Sequence, residues 1–266
     1  MALLGALHDT QAIDVAAANG AVIEALQPSE QACGARPSDR GAADDLSLLM
    51  ERWEREGVPL VAPAGNLSFG YQFAKRLLDI VGAAVLLVLL APIMLAVFCV
   101  LLVTTRGRPL YSQVRVGWCG RRFRMYKFRT MVLTAEQQQH LVRNEQEGPV
   151  FKNRRDPRVT RIGRFLRSTS LDETPQLFHV LFGQMSLVGP RPPVPDEVRR
   201  YERWQLARLA VKPGLTCLGQ VSGRCEIGFH DWVRMDIWYL RHQSLLTDLM
   251  LLARTPWSVL SRRGAY

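Results

Sequence analysis

The sequence predicts an α/β, monotopic membrane protein with one re-entrant helical hairpin, a small mixed core and amphipathic helices lying at the interface. Three observations lead there. Residues 80–105 carry no charged side chain, and Pro92 sits inside that run. Both flanks of the run are basic. Beyond it, short strand-and-turn patterns give way to two amphipathic to strongly apolar helical stretches.

Composition sets the outer bounds. Of 266 residues, 48% are hydrophobic and 22% charged, an ordinary globular balance. A wholly disordered chain, a collagen and a polytopic membrane protein are excluded. Five scattered Cys form no CxxC, so neither a disulfide framework nor a structural zinc site is expected. Charge is uneven. Residues 1–74 hold ten acids and four bases, net −6, whereas residues 75–266 hold 14 acids and 30 bases, net +16. A basic body calls for an anionic partner, and charge alone does not choose between nucleic acid, anionic lipid and phosphorylated substrate.

Residues 1–74 are rich in Ala and Gly, with weak helical stretches at Ala12–Leu26 and Asp44–Arg55. They read as an acidic, poorly ordered extension. Residues 75–266 form the body, with the re-entrant helix at about 75–105.

The uncharged run is long enough for one bilayer span. Pro92 removes a backbone donor near its middle, which predicts a break. Lys75 and Arg76 precede the run; Arg106, Arg108, Arg115, Arg121, Arg122, Arg124, Lys127 and Arg129 follow, with no acid before Glu136. The positive-inside rule places both ends on the cytoplasmic face, which a hairpin satisfies and a straight span does not. Asp79 lies at helical spacing from Lys75 and Arg76 and is expected to pair with one of them.

Leu110–Gly117 and Arg122–Phe128 read as strands of a hairpin around Trp118-Cys119-Gly120. Lys127 and Arg129 then flank Phe128 and precede Thr130, two cations beside a hydroxyl. In the stretch 156–192, Arg158, Arg161, Arg164 and Arg167 recur at every third position, along one side of a helical turn. Ser170 or Thr169 is placed to cap the next helix, with Asp172 and Glu173 in its first turn. Acids at a helix start commonly serve only the dipole. Beside an arginine row they suit a second role: a carboxylate attacks phosphorus to form an acyl-phosphate. Its neighbour holds Mg²⁺, and arginines neutralise the transferring group. Val188-Gly189-Pro190-Arg191-Pro192 is a stiff turn that fixes one arginine, and Lys212-Pro213-Gly214-Leu215-Thr216 is a second turn, leading to a strand around Gln220-Val221. Asp231–Arg241 and Leu245–Leu260 close the chain as helices, the last broken at Pro256.

Taken in order, these motifs resemble the small monotopic phosphoglycosyl transferases of bacteria, also called bacterial sugar transferases or polyprenyl glycosylphosphotransferases. The likeness rests on KRLLDI at 75–80, the Pro-broken apolar segment, KFRTM at 127–131, DPRVTRIGRFLR at 156–167, TSLDETPQ at 169–176, VGPRP at 188–192 and KPGLT at 212–216. The resemblance implies an α/β enzyme with a small mixed catalytic core on the cytoplasmic face of the bacterial inner membrane. Asp172 would be the nucleophile and Glu173 would bind Mg²⁺ with it. Arg167, Arg191, Lys127 and Arg129 would contact substrate, and Asp236 and Asp248 match two further carboxylates near the site. UDP-sugar and polyprenyl phosphate would be the substrates. Lipid, downstream glycosyltransferases and a second copy of the chain fit as partners, and nucleic acid does not. Ala91-Pro92 replaces the family's usual Ser-Pro, and Leu218-Gly219-Gln220 lacks a Trp common there. The ending Arg263-Gly264-Ala265-Tyr266 resembles members that transfer hexose-1-phosphate in exopolysaccharide assembly, which favours UDP-glucose or UDP-galactose. Three other classes stand beside this reading: a membrane-anchored anionic-ligand binder without catalysis, a glycosyltransferase that releases UDP, and an inactive scaffold.

Overall fold

The computed structural model describes residues 41–56, 59–61, 67–145, 148–151, 153–223 and 227–261. The expectations for Ala12–Leu26 and for the Arg263–Tyr266 ending lie outside these residues. The helices are α1 (Gly41–Glu56), α2 (Phe69–Thr104), α3 (Arg161–Ser168), α4 (Leu177–Leu181), α5 (Pro195–Val198), α6 (Leu218–Ser222), α7 (Phe229–Arg241) and α8 (Leu245–Ser261). The strands are β1 (Leu110–Val116), β2 (Arg122–Phe128), β3 (Ser186–Val188) and β4 (Gly214–Thr216). β1 and β2 form an antiparallel hairpin, and β3 and β4 a parallel pair.

Helix α2 is the one described helix long and apolar enough to cross a membrane. It runs through Pro92 as a single element. The expected break is therefore absent as an interruption of helix. A proline forfeits one backbone bond and crowds the preceding turn, which bends a helix without having to end it. Asp79, Ala83, Leu87, Leu90, Met94, Val97 and Leu101 form one stripe, buried or partly buried along its whole length. Their spacing of three or four keeps them on a single face. Val81, Val85, Val88, Leu89, Leu95 and Val103 stand exposed around it. The stripe rests first on Leu177, Val180 and Leu187, then on Phe128 and Leu166. Both ends of α2 thus seat on the same body of protein. The helix stops at Arg106 and Gly107, whose φ angles of 52° and 82° turn the chain back.

Asp79 does not pair with Lys75 or Arg76. It accepts from the Ser186 hydroxyl and the Leu187 amide, both at 2.9 Å. Arg76 instead holds the Val180 and Leu181 carbonyls at the end of α4. Buried polar groups take the donor or acceptor at hand.

The extension before the body is partly built into it. Trp53 of α1 is 2% exposed, donates to the Gly120 carbonyl at 2.8 Å, and carries the Arg122 guanidinium 4.2 Å over its ring. Leu60 and Val61 are also buried, and the Leu60 amide donates to the Cys119 carbonyl. Leu46, Leu49, Met50 and Trp53 share a face. Burying that face outweighs the acidic composition that suggested disorder.

Two other expectations are corrected. Residues 218–222 form a helix, and the strand lies earlier, at 214–216, paired with β3. Helix α8 continues through Pro256 to Ser261. The Thr255 hydroxyl bonds the Leu251 carbonyl at 2.7 Å, one turn back, beside the bond that Pro256 cannot make.

Candidate active site

The site is built where four motifs meet. The segment 130–132 lies against 158–160: the Thr160 amide donates to the Thr130 carbonyl and the Val132 amide to the Arg158 carbonyl. Thr160 caps α3 by accepting from the Gly163 amide. Gly163 is required there, because a Cβ would stand 1.9 Å from the Thr130 oxygen. This close approach lets Arg167, at the far end of α3, donate from Nε to the Thr130 hydroxyl at 3.0 Å.

The arginine row does not stay in register. A three-residue step falls about 60° short of a full helical turn, so the row winds off the face. Arg158 precedes α3 and pairs with Asp156 at 2.6 Å, Arg161 and Arg164 are exposed, and Arg167 alone turns to the site.

After α3 the chain reverses at Ser170, whose φ is 56°. A non-glycine residue in the left-handed region is held there by its surroundings, and such residues gather at functional sites. Neither expected cap forms: Thr169 bonds the Phe165 and Leu166 carbonyls, and the Ser170 side chain makes no cap bond. Asp172 and Glu173 sit in a six-residue 3₁₀ turn, Leu171–Gln176, ahead of α4. Strand β2 packs on this turn.

The register of the hairpin puts Tyr111, Gln113 and Arg115 opposite Lys127, Met125 and Phe123, so Lys127 and Arg115 share a face. Asp172 is 6% exposed. Burial, and then the adjacent Glu173 charge, push its carboxyl up to about 7, while Lys127 and Arg167 oppose the rise. Burial pulls the Lys127 ammonium down to about 8, with Arg115 and Arg167 adding to the fall and Asp172 and Glu173 resisting it. Burial, then Arg191, bring Arg115 down to about 10. Asp172, Glu173, Lys127, Arg115, Arg167 and Arg191 are therefore one electrostatic cluster. No described side chain donates a hydrogen bond to either carboxylate of the pair.

The Pro190-Arg191-Pro192 turn is clamped by two buried arginines. Arg115 donates to the Pro192 carbonyl at 2.9 Å, and Arg208 to the Arg191 carbonyl at 3.3 Å. Its base is locked to the second turn. The Gly189 amide donates to the Thr216 carbonyl, the Gly214 amide to the Pro190 carbonyl, and a Cβ on Gly214 would stand 2.0 Å from the Gly189 nitrogen. VGPRP and KPGLT are one interlocked unit that presents Arg191.

Three expected substrate contacts are placed elsewhere. Asp236 is 1% exposed and pairs with Arg208 at 2.6 Å, so it stands behind Arg191. Burial pushes its carboxyl up to about 6 against the pull of Arg208. Asp248 is fully buried and accepts from Lys75, Tyr71 and Tyr239. Lys75 and Tyr239 also hold the Val188 carbonyl, so Asp248 anchors α2 and α8 beneath the VGPRP turn. Arg129 donates to the Arg108 and Leu110 carbonyls and straps the exit of α2 to β1. Arg115 and Arg208 were not singled out from the sequence. Strand periodicity counted across the hairpin from Lys127 would have found Arg115; nothing local marks Arg208.

The residues can hold a divalent cation. Mg²⁺ takes one or two protein carboxylates and completes its shell with water and phosphate oxygens. Two adjacent carboxylates to which no described side chain donates match that demand, and no cluster of three or more metal-ligating side chains occurs among the described residues.

Comparison with known proteins places these observations in a family. The model for bacterial sugar transferases matches residues 70–262. An undecaprenyl-phosphate galactose phosphotransferase of Salmonella typhimurium is 43% identical over 203 residues, covering 73% of this chain and 42% of that protein. A UDP-glucose:undecaprenyl-phosphate glucose-1-phosphate transferase of Klebsiella pneumoniae is 34% identical over 234 residues, covering 83% and 48%. The exopolysaccharide production protein ExoY of Rhizobium meliloti is 37% identical over 212 residues, covering 77% and 91%. The chain spans less than half the length of the first two of these and nearly all of the third.

Proposed function

The chain belongs to the bacterial sugar transferase family, and from that premise we propose that it moves a hexose-1-phosphate from UDP-glucose or UDP-galactose to polyprenyl phosphate, releasing UMP. This reaction would start exopolysaccharide or other glycoconjugate assembly, and downstream glycosyltransferases would extend the product. The observation that carries the reading is buried Asp172, with half-buried Glu173 beside it, in the field of Lys127 and Arg167.

The chemistry follows from the cluster. An oxygen of ionised Asp172 attacks the phosphorus that bears the sugar. The bond from that phosphorus to the bridging oxygen breaks, and UMP leaves with the electron pair. An aspartyl-phosphosugar remains. An oxygen of polyprenyl phosphate then attacks the same phosphorus and expels the Asp172 carboxylate, giving polyprenyl-diphosphate-sugar. Burial strips water from the nucleophile and strengthens every charge around it. Lys127, Arg115, Arg167 and Arg191 offset the charge on the transferring group, and the clamped turn holds Arg191 in place before substrate arrives. Glu173, with Asp172, would hold Mg²⁺, which when bound would supply a Lewis acid for the phosphate oxygens.

The membrane arrangement belongs to the same proposal. Helix α2 lies in the cytoplasmic leaflet of the bacterial inner membrane and returns to the same face. The stripe that seats both of its ends on one body supports this. Exposed Leu246, Leu249, Trp257 and Leu260 on α8 would lie at the interface.

The test is nucleotide release with polyprenyl phosphate, Mg²⁺ and a panel of UDP-sugars, using the wild type and Asp172→Asn. UMP from one hexose donor, lost in the variant, is the expected result. Release of UDP would mean ordinary glycosyl transfer. No release from any donor would favour an anionic-ligand binder without catalysis.

A further inference from the structure

A second basic pocket lies outside the cluster just described. It has a volume of about 530 Å³ and forms between residues 153–159 and the outward side of α3. Arg154, Arg155 and Arg164 line it, with Phe165 and Ser168. Asp172, Glu173, Lys127, Arg115, Arg167 and Arg191 do not.

Two of its cations, Arg155 and Arg164, have no described carboxylate to balance them. Asp156 is the one carboxylate on the wall, and Arg158 binds both of its oxygens. The Arg155 and Arg164 side chains make no ion pair among the described residues. A concave wall with two such cations, Arg155 and Arg164, concentrates anions. Its volume lies in the range of small-molecule sites.

The surroundings refine the ligand class. Ile162 and Leu166, on the inner side of α3, pack on Met94, Val97 and Leu101 of α2. The pocket therefore lies on the side of α3 turned away from α2, and no residue of α2 lines it. Phe165, 56% exposed, stands next to Arg164. Guanidiniums grip phosphate oxygens in bidentate fashion, and an exposed aromatic beside them suits an apolar or heterocyclic neighbour. We propose that this pocket is a phosphate-binding site separate from the catalytic cluster, taking either a phospholipid headgroup or a soluble phosphate ester.

The experiment uses the full chain in phosphatidylcholine nanodiscs and compares two variants of equal charge loss. Arg155→Gln/Arg164→Gln removes two pocket cations. Arg161→Gln/Arg241→Gln removes two exposed ones elsewhere. Calorimetric titration with inorganic pyrophosphate, without Mg²⁺, counts soluble-phosphate sites. Native mass spectrometry after reconstitution with phosphatidic acid counts retained lipid. The pocket variant should weaken one class of site by about tenfold or more, as expected for the loss of charge-assisted hydrogen bonds. The control should resemble the wild type. Loss confined to pyrophosphate assigns a soluble ester, and loss confined to phosphatidic acid assigns a lipid headgroup. Equal behaviour of the two variants with both probes overturns the proposal. None of these readings requires turnover, so they stand apart from the transfer assay.

Discussion

Arg208 and Asp236 face each other at 2.6 Å in the interior, and the same guanidinium reaches the Arg191 carbonyl. An ion pair therefore sits one residue behind the turn that presents Arg191. Removing one partner strands the other as a buried charge. Arg208→Met should cost about 3–5 kcal/mol in denaturant unfolding. Adding Asp236→Leu should restore most of that stability, because the pair itself is worth little net. Transfer should stay impaired in the double variant, since the Arg191 carbonyl has lost its donor. Full activity in the double variant would show that the clamp is not needed.

The coupled pair of Asp172 and Lys127 predicts a narrow bell in the pH dependence of kcat/KM. Asp172, near 7, must lose its proton to attack, so the rate should climb as pH rises through that value. Lys127, near 8, must keep its proton to offset charge, so the rate should fall above it. Both limbs belong to the pair jointly. Lys127→Met removes a cation that holds Asp172 down, so its acidic limb should move to higher pH. A profile flat from about pH 6 to about pH 9 would contradict this account of the nucleophile.

Gly163→Ala tests the closeness of α3 to Thr130. The new methyl would have to displace the Thr130 carbonyl, at a cost of about 1–3 kcal/mol. The shift carries Arg167 away from the Thr130 hydroxyl. A fall of about 10- to 100-fold in kcat should accompany the lower unfolding midpoint. Unchanged kcat at reduced stability would mean that Arg167 tolerates the displacement.

Trp53→Ala probes the helix that precedes the matched region. A buried indole that bonds Gly120 and carries Arg122 should cost about 3–5 kcal/mol on truncation, measured by thermal or urea unfolding. Because Gly120 closes the hairpin bearing Arg115 and Lys127, activity should fall at temperatures where the fold still holds. A change below about 0.5 kcal/mol would mean that α1 is merely laid on the surface.

The gathering of the acidic pair and its cations was more legible in the sequence than the supports beneath it. The limits of β2 and the end of α7 agree with expectation, because alternation and amphipathic spacing are local signals. Asp172, Glu173, Lys127 and Arg167 converge as their motifs implied. Asp248 and Arg129 do not join them. A charged side chain's type says that it needs a partner, but its direction is set by contacts distant in sequence, such as Lys75 for Asp248. The same holds for Asp79, whose near neighbours offered a pairing that Ser186 and Leu187 took instead. The helical stretch expected at Asp44–Arg55 lies within α1, but its docking on the body was missed for a related reason. Net charge described the whole extension, while four apolar residues on one helical face decided its last part.

The stripe on α2 makes the length of that helix a fixed dimension. Asp79 and Leu101 are docked 22 positions apart on one body, so the segment between them is a ruler held at both ends. One residue inserted between Leu87 and Met94 would turn one half against the other by about 100°, and one anchor would have to let go. A four-residue insertion would restore the face to within about 40° but slide the far anchor by about 6 Å. Exposed positions such as Val88 and Leu95 are free to drift among apolar side chains, whereas the count of residues between the anchors is not.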